Sequence, residues 1–389
     1  MTQQKNSFLF PRGFKTSVAN VGIKDTTDDF VCIYSDSPCT SAGVFTKSRF
    51  AGPSVTLSRE HLRAGNNRAI VAISKNANVA NGPEGFRDAE SIVNAVATSL
   101  GVAPEAVLIA STGVIGRRYP MQKILPHALA IRTSLQEGGF EGAARGIMTT
   151  DSVPKIATAR IGESGLVGIA KGVGMMEPNM ATLLAFFMTD AAIDRASLDA
   201  VFRRVMDKTF NCLSIDTDTS TSDTALIFAN GQAGSVDIGA FERALYDVAL
   251  QLVKKIAIDG EGATKMLEVA VTRARDGRQA KRVAKAIVNS PLVKTSVHGA
   301  DANWGRVAMA IGKCDDELDI DPGKTTIRFV GMEVYPRSLS SEQLAELAML
   351  LRKSEIRVEV DLGIAGGEAT VWGCDLSADY VRINSEYTT

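Results

Sequence analysis

A segment rich in glycine and containing proline, running straight into an unbroken apolar stretch, constrains this chain more than any other part of it. Residues 171–177 carry Gly172 and Gly174, which let a backbone bend or approach a ligand closely. Pro178 fixes one φ angle and biases Glu177 away from helix. Residues 183–187 are then bulky and apolar, the pattern of a strand buried on both faces. Ala181 and Thr182 stand at the junction. A hydroxyl at the mouth of a buried strand is well placed to be a nucleophile, but most threonines at strand starts are structural.

Strand-like patterns recur at 68–73, 107–110, 156–161, 166–170, 225–228, 267–271, 325–335 and 356–362. Helical spacing marks 86–100, 121–135, 198–206, 241–256 and 279–288. Ser340 with Gln343 reads as a capping box, after which Leu344, Leu347, Ala348 and Leu351 share one helical face. Residues 1–60 read as turns and short strands, with a β-like 30–34 between 11–14 and 41–46. Strands and helices mix without regular βαβ alternation, so packed α+β layers are expected rather than a doubly wound sheet.

Bulk properties narrow the function. The 389 residues suffice for one large or two medium domains, and 45% hydrophobic with 22% charged residues is an ordinary globular balance. A net charge of −1 gives no footprint for nucleic acid or an anionic membrane. No run approaches the ~18 apolar residues of a membrane span, and the N-terminus leads into no apolar signal core, so a cytoplasmic protein is expected. The five cysteines, Cys32, Cys39, Cys212, Cys314 and Cys374, have no metal-ligand spacing and read as buried free thiols. The three histidines, His61, His127 and His298, are scattered, so an acyl-transfer enzyme built on this chain needs another base.

Local motifs are few. Gly172 and Gly174 lack the third glycine of a dinucleotide site and precede a strand rather than follow one. Asp216, Asp218 and Ser220 are spaced as in a calcium loop, but Thr221 and Ile227 replace the glycine and bidentate carboxylate it needs. A loop whose side chains bond local backbone is the simpler reading. Thr112-Gly113, just after an apolar strand, can aim backbone N–H groups and a hydroxyl outward as an oxyanion hole does, or be a plain β-turn. Glu261, between two glycines beyond a long helix, can present its carboxylate to a pocket or belong to an ordinary helix-ending loop.

Taken together, Pro11-Arg-Gly-Phe14, Ala42-Gly-Val-Phe-Thr46, Asn76-Ala-Asn78, Ser111-Thr-Gly-Val-Ile-Gly116, Met148-Thr-Thr-Asp151 and Lys171-Gly-Val-Gly-Met175 closely resemble the ornithine acetyltransferase (glutamate N-acetyltransferase) family of arginine biosynthesis. Pro178-Asn-Met-Ala-Thr182, Asp218-Thr-Ser-Thr-Ser-Asp-Thr224, Asp259-Gly-Glu-Gly-Ala263, Asn303-Trp-Gly-Arg306 and Asn384-Ser-Glu-Tyr-Thr-Thr389 extend the resemblance over essentially the whole chain. It implies an α+β fold, a layered αββα-type sandwich like that of N-terminal-nucleophile proteins. It implies self-cleavage between Ala181 and Thr182, giving an alpha chain 1–181 and a beta chain 182–389 that form one intertwined catalytic unit. Thr182 would be the nucleophile, with its freed α-amine as the base that the histidine count withholds. Acetyl would pass from N-acetyl-L-ornithine to L-glutamate by ping-pong transfer through an acetyl-threonine enzyme.

By the same resemblance Thr112 and Gly113 form the oxyanion hole, and Thr150 (or its neighbour Thr149), Lys171, Thr182, Glu261, Asn384 and Thr389 bind substrate. No cofactor or metal is implied; the partners are the small-molecule substrates and the chain's own halves, as an alpha/beta heterodimer assembling into heterotetramers or higher. Val173, Ser152 and Ala302 depart from common family wording and leave substrate preference open. Residues 171–175 and 290–299 are worded as in members found with clavulanic acid biosynthesis genes, so an arginine-pathway and a specialised-metabolite role both stand. An amidase or aminopeptidase that passes the acyl group to water is the alternative enzyme; an unprocessed binding protein is the non-enzymatic one.

Overall fold

The apolar run after the glycine–proline segment is a strand, Leu184–Ala192, buried along its length to Ala191. Its alternate side chains enter two different cores: Phe186 and Met188 one, Ala185 and Phe187 the other. That is why the run is continuously apolar instead of alternating.

The computed structural model describes residues 10–177 and 183–386. Its strands are β1 (Phe14–Ala19), β2 (Phe30–Phe45), β3 (Asn67–Ile73), β4 (Val107–Ser111), β5 (Gln136–Glu137), β6 (Lys155–Ile161), β7 (Ser164–Lys171), β8 (Leu184–Ala192), β9 (Thr224–Ser235), β10 (Met266–Ala274), β11 (Thr326–Phe329), β12 (Met332–Tyr335), β13 (Glu355–Asp361) and β14 (Gly367–Cys374). Its helices are α1 (Pro53–Ala64), α2 (Gly82–Leu100), α3 (Met121–Ala130), α4 (Phe140–Gly146), α5 (Arg195–Lys208), α6 (Ile238–Ile258), α7 (Gly277–Val288), α8 (Pro291–His298), α9 (Trp304–Gly312), α10 (Ser341–Leu350) and α11 (Ala378–Glu386). No helix among the described residues is long and apolar enough to cross a membrane.

One sheet runs β4-β3-β2-β9-β8-β7-β6, with β1 beside β2 and β5 beside β1. The long β2 belongs to both of its halves: residues 30–34 pair with β1 and β3, and residues 40–45 pair with β9. The register breaks between Tyr34 and Cys39, and past that break the sheet turns over on itself. Val31, Ile33, Ile70 and Leu108 of one half meet Phe186, Met188, Leu226 and Phe228 of the other in a closed core. The outer face of the first half, with Cys32, Val71 and Ile109, is covered by α2 and α3 through Ile92, Val96 and Ile124. The outer face of the second, with Phe187 and Ile227, is covered by α5 and α6 through Phe202, Leu245, Val248 and Leu252. Helix, sheet, sheet, helix is the expected αββα order. Each such aliphatic or aromatic side chain contributes about 1.5–3 kcal/mol when fully buried, before the entropy of ordering it.

A second sheet, β12-β11-β13-β10-β14, joins the far side of α6 and shares its core. Nothing in the expected sandwich accounts for this addition. Its β10 pairs parallel with β13 and antiparallel with β14, and α7 packs on it through Val283, Ala284 and Ile287.

Several local expectations change. Residues 53–60, within the stretch read as turns and short strands, belong to helix α1, and residues 41–46 lie within β2 save for Thr46. Residues 325–335 are a hairpin rather than one strand; Val330 (φ 51°) and Gly331 (φ 83°) both adopt the positive φ of a two-residue hairpin turn. The Ser340–Gln343 capping box is present, and on the helical face that follows it Leu347 and Leu351 are buried while Leu344 is 52% exposed. All five cysteines are free and buried.

Candidate active site

The site forms where the two ends of the glycine–proline segment return to the sheet. β7 ends at Lys171, and β8 begins at Leu184, antiparallel to β7 and directly paired with Lys171. Leu183 is fixed by the Thr224 N–H, 2.9 Å from its carbonyl oxygen. On the N-terminal side of residues 178–182, Asp216 takes the N–H groups of Met175 and Met176 on its two oxygens, each at 2.6 Å. The Glu177 N–H reaches the Asp218 carbonyl at 2.8 Å, and the Glu177 carboxylate meets Ser214 Oγ at 3.0 Å and Lys285 Nζ at 3.4 Å. Both borders of residues 178–182 are therefore anchored. Ala181, Thr182 and Thr389 themselves lie outside the described residues.

Between these borders opens a cavity of about 250 Å³. Thr112, Gly113, Thr150, Lys171, Glu261 and Asn384, six residues from five separate segments, all line it, as does Leu183. Glu261 is held at its centre. Its Oε1 accepts from Thr150 Oγ1 at 2.8 Å, its Oε2 accepts from Asn384 Nδ2 at 2.9 Å, and its backbone N–H donates to the Val173 carbonyl at 2.9 Å. Thr149 also lines the cavity, but the hydroxyl that meets Glu261 belongs to Thr150. Gly174 lets the carboxylate sit there, because a Cβ at that position would overlap it.

Thr112 and Gly113 follow β4 as expected, with one refinement. The Thr112 N–H is spent on the Ile73 carbonyl at 3.0 Å. The donors this turn can offer a developing oxyanion are the Thr112 hydroxyl and the Gly113 N–H. Gly113 has φ 129°, and a Cβ on it would run into the backbone of Lys75 and Asn76, so only glycine fits. Lys171 Nζ stands 3.5 Å from Thr112 Oγ1.

Lys171 is 7% exposed. Burial holds its pKa below the usual 10.5, Lys155 pushes the same way, and the carboxylates of Asp151, Glu261 and Asp223 oppose without cancelling the shift. For Asp151 burial pushes upward, but Lys171, Lys155 and the Gly172 N–H outweigh it and leave the carboxyl below its usual value. Among the described residues, the carboxylates of Asp216, Asp218, Asp223 and Glu261 line the cavity against the single ammonium of Lys171. Such a pocket suits a ligand that carries an ammonium as well as a carboxylate.

Asp216, Asp218 and Tyr380 are site residues that local sequence reading missed. The Asp216 carboxylate does bond backbone, but chiefly that of residues 175–176, some forty positions away. Tyr380, on α11, lies with its hydroxyl 3.5 Å from Asp216; burial, then Asp216, Glu261 and Asp218, push its pKa well up. Only the resemblance singled out Asn384, on the same helix, beforehand.

Known proteins resemble this chain in sequence over nearly its whole length. The profile of the ArgJ family matches residues 15–389. The chain is 58% identical over 379 residues to the arginine biosynthesis bifunctional protein ArgJ 2 of Nostoc sp., covering 97% of this chain and 98% of that protein. It is also 58% identical over 385 residues to the glutamate N-acetyltransferase Oat2 of Streptomyces clavuligerus, again covering 97% and 98%. Among solved structures, the arginine biosynthesis bifunctional protein argJ of Bacillus halodurans is 38% identical, covers 51% of this chain and 96% of that one, and has a TM-score of 0.47.

Proposed function

The chain belongs to the ArgJ family, and from that membership we propose that it is a self-processing acetyltransferase moving acetyl from N-acetyl-L-ornithine to L-glutamate. The observation that carries the reading is the cavity itself: oxyanion donors, one ammonium and a braced carboxylate converge beside Leu183, the residue after Thr182.

In the processing step the Thr182 hydroxyl attacks the Ala181 carbonyl carbon. The C–N bond between the two residues breaks, its nitrogen takes a proton, and the acyl group is left as an ester on Thr182. Water hydrolyses that ester, leaving a carboxylate on Ala181 and a free α-amine on Thr182. An α-amine has a reference pKa of about 7.7–8, so near neutral pH part of it is unprotonated and can accept the hydroxyl proton.

In transfer the Thr182 oxygen attacks the acetyl carbon of N-acetylornithine. The negative charge that develops on the acetyl oxygen is met by the Thr112 hydroxyl and the Gly113 N–H. The C–N bond breaks, the proton returns to the departing α-amine, and ornithine leaves. The α-amine of glutamate then attacks the acetyl ester and regenerates the Thr182 hydroxyl. Lys171 pairs with the substrate carboxylate and Glu261 with the ornithine side-chain ammonium, the division of labour suggested by one buried cation facing a carboxylate-rich wall.

Incubation of the purified protein with N-acetylornithine, with and without glutamate, tests the assignment. The expected products are ornithine and N-acetylglutamate in equal amounts, with little acetate. Acetate released at the same rate regardless of glutamate would overturn it in favour of a hydrolase.

A further inference from the structure

Lys155 does not line the cavity, yet its side chain is fully buried and bonds three acceptors. Its ammonium lies 2.7 Å from Asp151 Oδ1, 2.6 Å from Asp259 Oδ2 and 3.4 Å from the Val153 carbonyl. The carboxylates it holds are themselves ties. Asp151 Oδ1 accepts the Gly172 N–H at 2.8 Å and Oδ2 the Thr149 N–H at 3.1 Å. Asp259 Oδ2 accepts the Ser152 N–H at 3.1 Å, and its Oδ1 accepts the Ser152 hydroxyl. Lys155 also pairs across the strands with Ala170. Thr150, Lys171 and Glu261 come from three segments far apart in sequence, and each lies within two residues of a group bound to this node.

We propose that Lys155 is a positioning residue for the substrate pocket: clamped between Asp151 and Asp259, it fixes the three segments that present Thr150, Lys171 and Glu261 and places a second positive charge on the carboxylate that holds the residue after Lys171. The proposal rests on the acetyltransfer reading for what the pocket binds, not for the clamp itself. A buried ammonium is costly unless paired, and here two carboxylates pair it. The groups acting on Lys171 are Asp151, Lys155, Glu261 and Asp223, while Asp216, Asp218 and Tyr380 line the same cavity. Lys155 is the neighbouring cation among these, so its removal must make Lys171 hold its proton to higher pH.

Removing Lys155 alone would strand two buried carboxylates, so the informative variant is charge-balanced, Lys155→Met with Asp259→Asn. Lys155→Gln with Asp259→Asn, which keeps a hydrogen bond available to Asp151, replaces it if the first does not accumulate as folded protein. Two readouts are needed. Trace labelling of Lys171 with acetic anhydride across pH, read by peptide mass spectrometry, reports its protonation without any turnover. The KM for N-acetylornithine against pH reports carboxylate binding, which is lost as pH rises through the Lys171 pKa, a pKa that lies below 10.5 in the parent.

In the double variant the labelling midpoint and the alkaline rise in KM should both move to higher pH, with KM at neutral pH raised severalfold and kcat little changed. Asp259→Asn alone should raise KM and leave the alkaline limb in place. An unshifted labelling midpoint in the double variant overturns the proposal and leaves Lys155 a plain structural ion pair. If the parent transfers no acetyl at all, the functional reading fails, and the labelling midpoint still decides the role of Lys155.

Discussion

At Gly174 the difference between glycine and alanine is one methyl group facing a carboxylate. The position has no positive φ to protect; what it protects is space, since a Cβ would overlap the Glu261 carboxylate. Gly174→Ala should push that group off Thr150 and Asn384. The expected result is a KM for N-acetylornithine raised by roughly tenfold to a hundredfold, the equivalent of about 1.5–3 kcal/mol for a hydrogen bond to a charged group, with a folded and normally processed protein. Steady-state kinetics check it, and an unchanged KM would show that Glu261 does not contact the donor. Gly113 is the contrasting case, where both a φ of 129° and the Lys75–Asn76 backbone exclude a side chain. The sequence alone distinguishes neither glycine from a loop glycine, because what crowds each of them is remote: Glu261 for one, residues 75–76 for the other.

At the scale of elements, the segment before the proposed cleavage position is shaped by its grip on the loop between α5 and β9. Asp216 contributes to that grip by accepting two successive N–H groups, beside the bonds that Ile215 and Asp218 make to Met176 and Glu177. Asp216→Ala frees residues 175–176 and should slow self-cleavage, so that uncut chain persists on a denaturing gel while the parent is cut; cleavage at the parental rate would contradict this. Strands β3, β4, β6, β7 and β13 and helices α2, α5, α6 and α7 were legible because their periodicity is local. The reach of β2 into both halves of the sheet was not, since its role depends on which strands pair with each end. The turn that divides β11 from β12 was hidden because Val330 takes a positive φ that valine seldom adopts. Thr112, Gly113, Thr150, Lys171, Glu261 and Asn384 were named in advance by resemblance, and one cavity gathers them. Asp216 and Tyr380 were not, because each acts across the fold on a partner far away in sequence.

At the scale of the whole molecule, the proposed cleavage position falls between β7 and β8, which pair along residues 166–171 and 184–189 within the same sheet. Cleavage there would leave β8 and β9 in the second chain, flanked by β2 of the first, and the core between the two sheet halves would draw on both chains. The two products should therefore co-elute on gel filtration in native buffer and separate only in denaturant; separation without denaturant would contradict an intertwined unit. The central claim is that Thr182 becomes a chain terminus and carries the acetyl group in transit. Intact mass spectrometry of protein mixed with N-acetylornithine and quenched in acid tests it most directly. The account predicts two species, residues 1–181 and 182–389, with one acetyl group on the second that disappears when glutamate is added. A single uncut chain, or a cut chain that never acquires a glutamate-labile acetyl group, would contradict it.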